Sequence, residues 1–109
     1  MHRVRQAVCT ISDLLEGLGK VVPLGNAGTE CALYLIDGKV YATGSVCPHQ
    51  NTSLEQSMVE SGEIICRKHG YRFDPKTGDC LTIGGYGLPV YDVQVDAGTV
   101  FVSYWDFED

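Results

Sequence analysis

The sequence predicts an all-β fold, antiparallel sheets in a sandwich or partly closed barrel, with a loop-rich subdomain that carries the function. Three observations predict it. Short β-branched and aromatic runs recur about every ten residues, punctuated by Gly, Asp, Asn and Pro. Two-residue connections, Asp37-Gly38 and Ala97-Gly98, separate runs that alternate in polarity. Helical periodicity is nearly absent.

In chain order, strands are expected at Val4–Cys9, Lys20–Leu24, Cys31–Ile36, Val40–Thr43, Glu63–Cys66, Arg72–Asp74, Val90–Val95 and Val100–Tyr104. Ser12–Gly17 alone reads as helix: Ser12 can cap, two leucines follow, and Gly17 ends it within two turns. Asp37-Gly38 suits a type I′ hairpin turn between ALYLI and VYATG, and Ala97-Gly98 does similar work between YDVQV and TVFVSY. Asp74–Gly78 is a longer turn, with Pro75 fixing φ and Gly78 supplying a positive one. Residues 45–83 alternate least and are richest in loops, as a ligand-bearing subdomain within a single 1–109 domain should be.

The chain has 109 residues, enough for a core that needs no covalent staples. Its formal charge of −6 argues against nucleic acid or an anionic membrane as partner. No apolar run approaches the roughly 20 residues that cross a bilayer. The N-terminus lacks an apolar signal core, so a cytoplasmic location is expected. Five cysteines, an odd number, point to metal chemistry before disulfides in that compartment.

Cys47 and His49 form C-x-H, and after the 16 residues Gln50 to Ile65, Cys66 and His69 form C-x-x-H. Two mixed pairs at strand ends, flanking a hairpin, can converge on one metal centre. Buried thiols beside surface imidazoles are the plainer reading, but they leave the repetition unexplained. Zinc accepts two thiolates and two imidazoles, although structural zinc sites usually pair cysteine with cysteine and histidine with histidine. Here each loop instead offers one sulfur and one nitrogen.

The mixed pairs, the YATGSVCPH approach, the HGYRFDPKTG turn and the late LPVYDVQVDAGTVFV hairpin together resemble the Rieske family over nearly the whole chain. That resemblance implies a Rieske-like (ISP) fold and one [2Fe-2S] cluster. Cys47 and Cys66 would hold the inner iron, His49 and His69 the outer one. In high-potential relatives a disulfide joins the two loops; here the matching positions are Thr52 and Lys68. The hydroxyl-bearing Ser and Tyr of those relatives are replaced by Tyr71 and Phe73. Fewer hydrogen bonds to the cluster imply a potential near the low end of the Rieske range, roughly −150 mV.

The chain thus looks like the ferredoxin component of bacterial aromatic-ring-hydroxylating dioxygenase systems, an electron carrier and not itself an enzyme. The resemblance implies transient partners, a flavoprotein ferredoxin reductase oxidising NAD(P)H and a terminal Rieske oxygenase, and a monomer is expected. A small Rieske subunit of a complex such as nitrite reductase is the alternative, and a zinc-stabilised module the third reading.

Arg67 and Lys68 could steer a partner or be plain loop charge, and Gly70 could let backbone approach the cluster. Gln50 reads as a loop cap, and Gly84–Pro89 as a third loop over the cluster or an ordinary connection. Cys9, Cys31 and Cys80 read as small buried or half-buried hydrophobes. His2 is expected in a disordered terminus. The tail 104–109 reads as an edge cover or a docking patch.

Overall fold

A computed structural model describes residues 2–25, 28–48, 51–68 and 70–106. Eleven strands follow one another: β1 (His2–Thr10), β2 (Lys20–Leu24), β3 (Thr29–Ile36), β4 (Lys39–Gly44), β5 (Val46–Cys47), β6 (Thr52–Ser53), β7 (Val59–Glu60), β8 (Glu63–Ile65), β9 (Arg72–Phe73), β10 (Val90–Asp96) and β11 (Thr99–Asp106). All eight expected strands form, each within two residues of its expected bounds.

Six strands make one curled antiparallel sheet in the order β1-β11-β10-β4-β3-β2. Its two edges, β1 and β2, approach each other and are joined by one side chain. Gln6 Nε2 donates to the Pro23 carbonyl (3.2 Å), and Gln6 Oε1 accepts from Gly25 N–H (2.8 Å). Pro23 has no N–H to offer a further strand, so the β2 edge is blunted. Two smaller sheets, β5-β6 and β7-β8-β9, sit between β4 and β10 in the chain.

Asp37-Gly38 and Ala97-Gly98 are tight two-residue turns with positive φ at both positions, as the sequence predicts. A third, Ser61-Gly62, joins β7 to β8 in the same way. The expected Ser12–Gly17 helix does not form. A single 3₁₀ turn, Ile11–Asp13, takes its place, with Asp13 Oδ2 accepting from Thr10 N–H at 2.9 Å. Beyond Leu14 the chain is captured by neighbours: Gly17 N–H bonds the Leu35 carbonyl, and Gly19 exchanges backbone bonds with Gln56 and Ser57. These long-range bonds outweigh a weak helix propensity. His2, expected to be disordered, opens β1 and pairs with Asp106.

Two apolar cores share strand β3. Cys31 and Leu33 point into the first, with Val22, Leu24, Val100 and Val102. Ala32 and Tyr34 point into the second, with Leu54, Ile64, Phe73, Leu88, Cys47 and Cys66. That is why CALY is buried at every position and lacks polar alternation. β3 is the wall between the sheet and the segment carrying the two cysteine motifs.

Candidate metal centre

Each cysteine motif opens a turn, and the two turns are built alike. Cys47 ends β5, pairs with Thr52 of β6, and its carbonyl accepts from Asn51 N–H at 2.8 Å. Cys66 follows β8, its N–H bonds the Tyr71 carbonyl (2.8 Å), and its carbonyl accepts from Gly70 N–H at 2.9 Å. The residue four positions after each cysteine is left-handed, Asn51 at φ +53° and Gly70 at φ +71°. Both residue types tolerate that conformation, and it reverses the chain direction after each motif. His49, Gln50 and His69 lie outside the described residues. Among those described, no three ligand side chains converge.

Both cysteine side chains are fully buried, 0% exposed, in the same apolar core. None of the five cysteines forms a disulfide. Thr52 and Lys68 stand where high-potential relatives place their extra cysteines, so no such bridge can link these two turns. Cys31 is equally buried but sits in the first core, where burial pushes its thiol up to about 12. It packs as a neutral hydrophobe. Cys9 and Cys80 are half-buried, as expected.

Neighbouring segments lock the turns in place. Arg67 Nη1 donates to the Glu55 carbonyl at 3.2 Å, tying the second turn to the segment after the first. Arg67, like Lys68, is exposed, as either reading of these charges expects. Arg72 pairs with Glu60 (2.8 Å) and Glu63 (3.1 Å), cross-linking β7, β8 and β9, and these partners hold its guanidinium pKa up. Segment 84–89 lies against the second cysteine turn: Tyr86 meets Tyr71 edge-on at 6.3 Å, and Leu88 is buried in the second core. A Cβ on Gly78 would stand 1.9 Å from the Leu88 carbonyl oxygen, so only glycine permits this closure.

Sequence reasoning missed the left-handed Asn51 and the Ser61-Gly62 turn. The Ser-Gly pair between VE and EI was a readable hairpin signal.

A [2Fe-2S] cluster fits this donor set. Two thiols at the heads of matched turns, buried and not disulfide-bonded, are soft ligands that an apolar pocket shields from oxidation and solvent. The comparisons agree. Residues 4–92 match the Rieske [2Fe-2S] domain. The ferredoxin component of the naphthalene 1,2-dioxygenase system of Pseudomonas putida is 39% identical over 94 residues, covering 85% of this chain and 88% of that protein. A chain of the complex between reduced oxygenase and oxidised ferredoxin of carbazole 1,9a-dioxygenase superposes with a TM-score of 0.80 at 30% identity, covering 91% of this chain and 92% of its own. A Mycobacterium tuberculosis protein assigned as the small subunit of an NADH-dependent nitrite reductase shares the fold, with a TM-score of 0.86 at 24% identity over 97% of this chain and 99% of its own. By motif, by fold and by relatedness, this chain belongs to the Rieske [2Fe-2S] domain family.

Proposed function

We propose that this chain is a one-electron carrier whose cluster is held by Cys47, His49, Cys66 and His69, with 45–83 as the cluster-binding subdomain of a single domain. It takes electrons from an NAD(P)H-dependent flavoprotein reductase and passes them to the terminal oxygenase of an aromatic-ring-hydroxylating dioxygenase system. It works in the cytoplasm as a monomer that docks transiently on each partner. The observation that carries this reading is the pair of fully buried thiols heading two matched turns in one core.

The bound cluster supplies reversible uptake of one electron, and the chain's own residues set the conditions for it. The apolar side chains of Leu54, Ile64, Phe73 and Leu88 exclude water from the sulfur side. Pro48, Arg67 and Lys68, which follow the two cysteines, are exposed, so the side of the motifs away from that core is the exit toward a partner. Beside it the 81–86 segment exposes Leu81, Ile83 and Tyr86, a small apolar surface suited to a brief encounter. No helix of the described residues is long and apolar enough to cross a membrane.

Anaerobically reconstituted protein should contain equal iron and acid-labile sulfide, give a Rieske-type EPR signal after dithionite, and be reduced by a flavoprotein reductase with NADH or NADPH. His69→Cys should lower the potential, because a thiolate adds negative charge to the iron that accepts the electron. A colourless protein without iron or sulfide would end the proposal. Stable co-purification with a large reductase subunit would favour the nitrite-reductase-like alternative.

A further inference from the structure

Charge divides the segment that carries the cysteine motifs along its length. Residues 45–89 hold five carboxylates, Glu55, Glu60, Glu63, Asp74 and Asp79, and four cations, Arg67, Lys68, Arg72 and Lys76. Four of those carboxylates lie at one end of the β7-β8-β9 sheet: Glu60 pairs with Glu63, and Asp74 N–H bonds the Asp79 carbonyl at 2.9 Å. The second cysteine turn lies at the other end, where Cys66 N–H bonds the Tyr71 carbonyl. Arg72, between the ends, is paired with Glu60 and Glu63. The fifth carboxylate, Glu55, borders the cysteine end, and its Oε1 accepts from Val21 N–H of β2 at 3.2 Å. Arg67 and Lys68 stand exposed at the cysteine end, and no ion pair among the described residues involves either. Tyr86, against Tyr71, and Ile83 add exposed apolar surface to that end. A chain of formal charge −6 thus presents a cationic face with an apolar patch where its motifs lie.

We propose that this face docks on a carboxylate-rimmed surface of the electron donor, the flavoprotein reductase, with Arg67 and Lys68 as the steering contacts. The proposal rests on the electron-carrier reading above. Charge complementarity defines the partner surface. Carboxylates there attract the two cations and repel the acidic remainder of the chain, so the chain arrives with its cysteine motifs foremost. The same sign selects the donor over the acceptor. Reduction adds one negative charge to the site that Arg67 and Lys68 border, so carboxylates hold the oxidised chain more tightly than the reduced one. A donor works with that order, because it takes up the oxidised form and releases the reduced one. An acceptor with such a rim would retain its product.

The test is calorimetric titration of the oxidised, cluster-loaded protein with the flavoprotein reductase that reduces it, without NADH, from about 20 to about 500 mM NaCl. Lys68→Glu should raise Kd about tenfold at the low end, and the difference should shrink to about twofold or less at the high end. Lys76→Glu is the control: it makes the same change of charge at an exposed position in the acidic-end turn, and should leave Kd within about twofold. Equal weakening by both variants overturns the inference, since net charge alone would then act. A wild-type Kd indifferent to salt, or a Lys68→Glu effect that salt does not relieve, overturns it as well. Weakening of terminal-oxygenase binding alone overturns the choice of donor. Iron, sulfide and EPR on each sample report whether the cluster is kept. Should Lys68→Glu fail to assemble, Lys68→Gln should raise Kd about threefold with the same salt relief, and no rise overturns the proposal. A wild-type protein that assembles no cluster, or that no flavoprotein reductase reduces with NADH or NADPH, defeats the carrier reading instead.

Discussion

The two cores that share β3 are built on different principles. The first lies inside a six-stranded sheet whose strands run five to nine residues and whose ladder satisfies most of its backbone. The second is enclosed by strands of two or three residues, held by turn hydrogen bonds and by Arg72 bridging to Glu60 and Glu63. Cysteine makes the contrast sharpest. Cys31 in the first core is a small hydrophobe, while Cys47 and Cys66, equally buried in the second, head turns that offer sulfur to a ligand. On the proposed ligation, identical burial of one residue type yields two roles, and the deciding difference is whether the backbone around the residue is a ladder or a turn. The proposed ligation implies that a self-sufficient sheet carries a region that depends on what it binds.

The largest expected effect follows from that dependence. Stripping iron with a chelator should leave the amides of β3, β10 and β11 protected, while those of residues 45–89 exchange about a hundredfold faster or more. Hydrogen exchange read by mass spectrometry checks this. Equal loss of protection in both regions would break the contrast, because it would make the sheet as dependent on the cluster as the turns are.

Core truncations sharpen it next. Phe73→Ala should cost about 3–5 kcal/mol and also lower iron content, since Phe73 packs in the core that holds Cys47 and Cys66. Leu33→Ala should cost about 2–5 kcal/mol in urea unfolding yet leave the EPR signal of the folded protein unaltered, because Leu33 faces the other side of the wall. A changed EPR signal in Leu33→Ala would mean that the cores are mechanically coupled through β3.

The same division explains what could be read without coordinates. The sheet was legible because alternation and tight Asp-Gly and Ala-Gly turns are local signals, and Lys20–Leu24 was placed to the residue. The cysteine motifs were legible by spacing. The short strands β5, β6 and β7 were not, because two residues carry no periodicity; they exist through pairings such as Cys47 with Thr52. The Ser12–Gly17 stretch misled for a related reason. Its local pattern favours a helix, but the Gly17 and Gly19 backbone bonds that draw it out come from residues far along the chain.

The first core makes a prediction about pH. Burial raises Cys31 from an ordinary value of 9.0 to about 12, so between these values the folded chain keeps a proton that the unfolded chain has lost. The stabilisation is complete below pH 9 and is lost as pH rises toward 12, by at most about 1.4 kcal/mol per pH unit. Urea unfolding of wild type and Cys31→Ala across this range should converge as pH rises. At neutral pH, iodoacetamide should spare Cys31 in the folded protein and label the half-buried Cys9 and Cys80 first. Early labelling of Cys31 would show that the first core opens more readily than its ladder implies.

The smallest effects separate the two cysteine turns from each other. Gly70 sits at φ +71°, and a Cβ there would meet nothing within 4 Å, so Gly70→Ala should cost only the left-handed backbone term, about 1–2 kcal/mol. Asn51, at φ +53°, already carries a side chain in the equivalent place. Asn51→Gly should therefore change stability by no more than about 0.5 kcal/mol, relief of the backbone being offset by the added freedom of the unfolded chain. Urea titration of the two variants, each reconstituted, measures the difference directly. A neutral Gly70→Ala would mean that its turn is closed by the ligand and not by glycine, and the likeness of the two turns would then be one of hydrogen bonding alone.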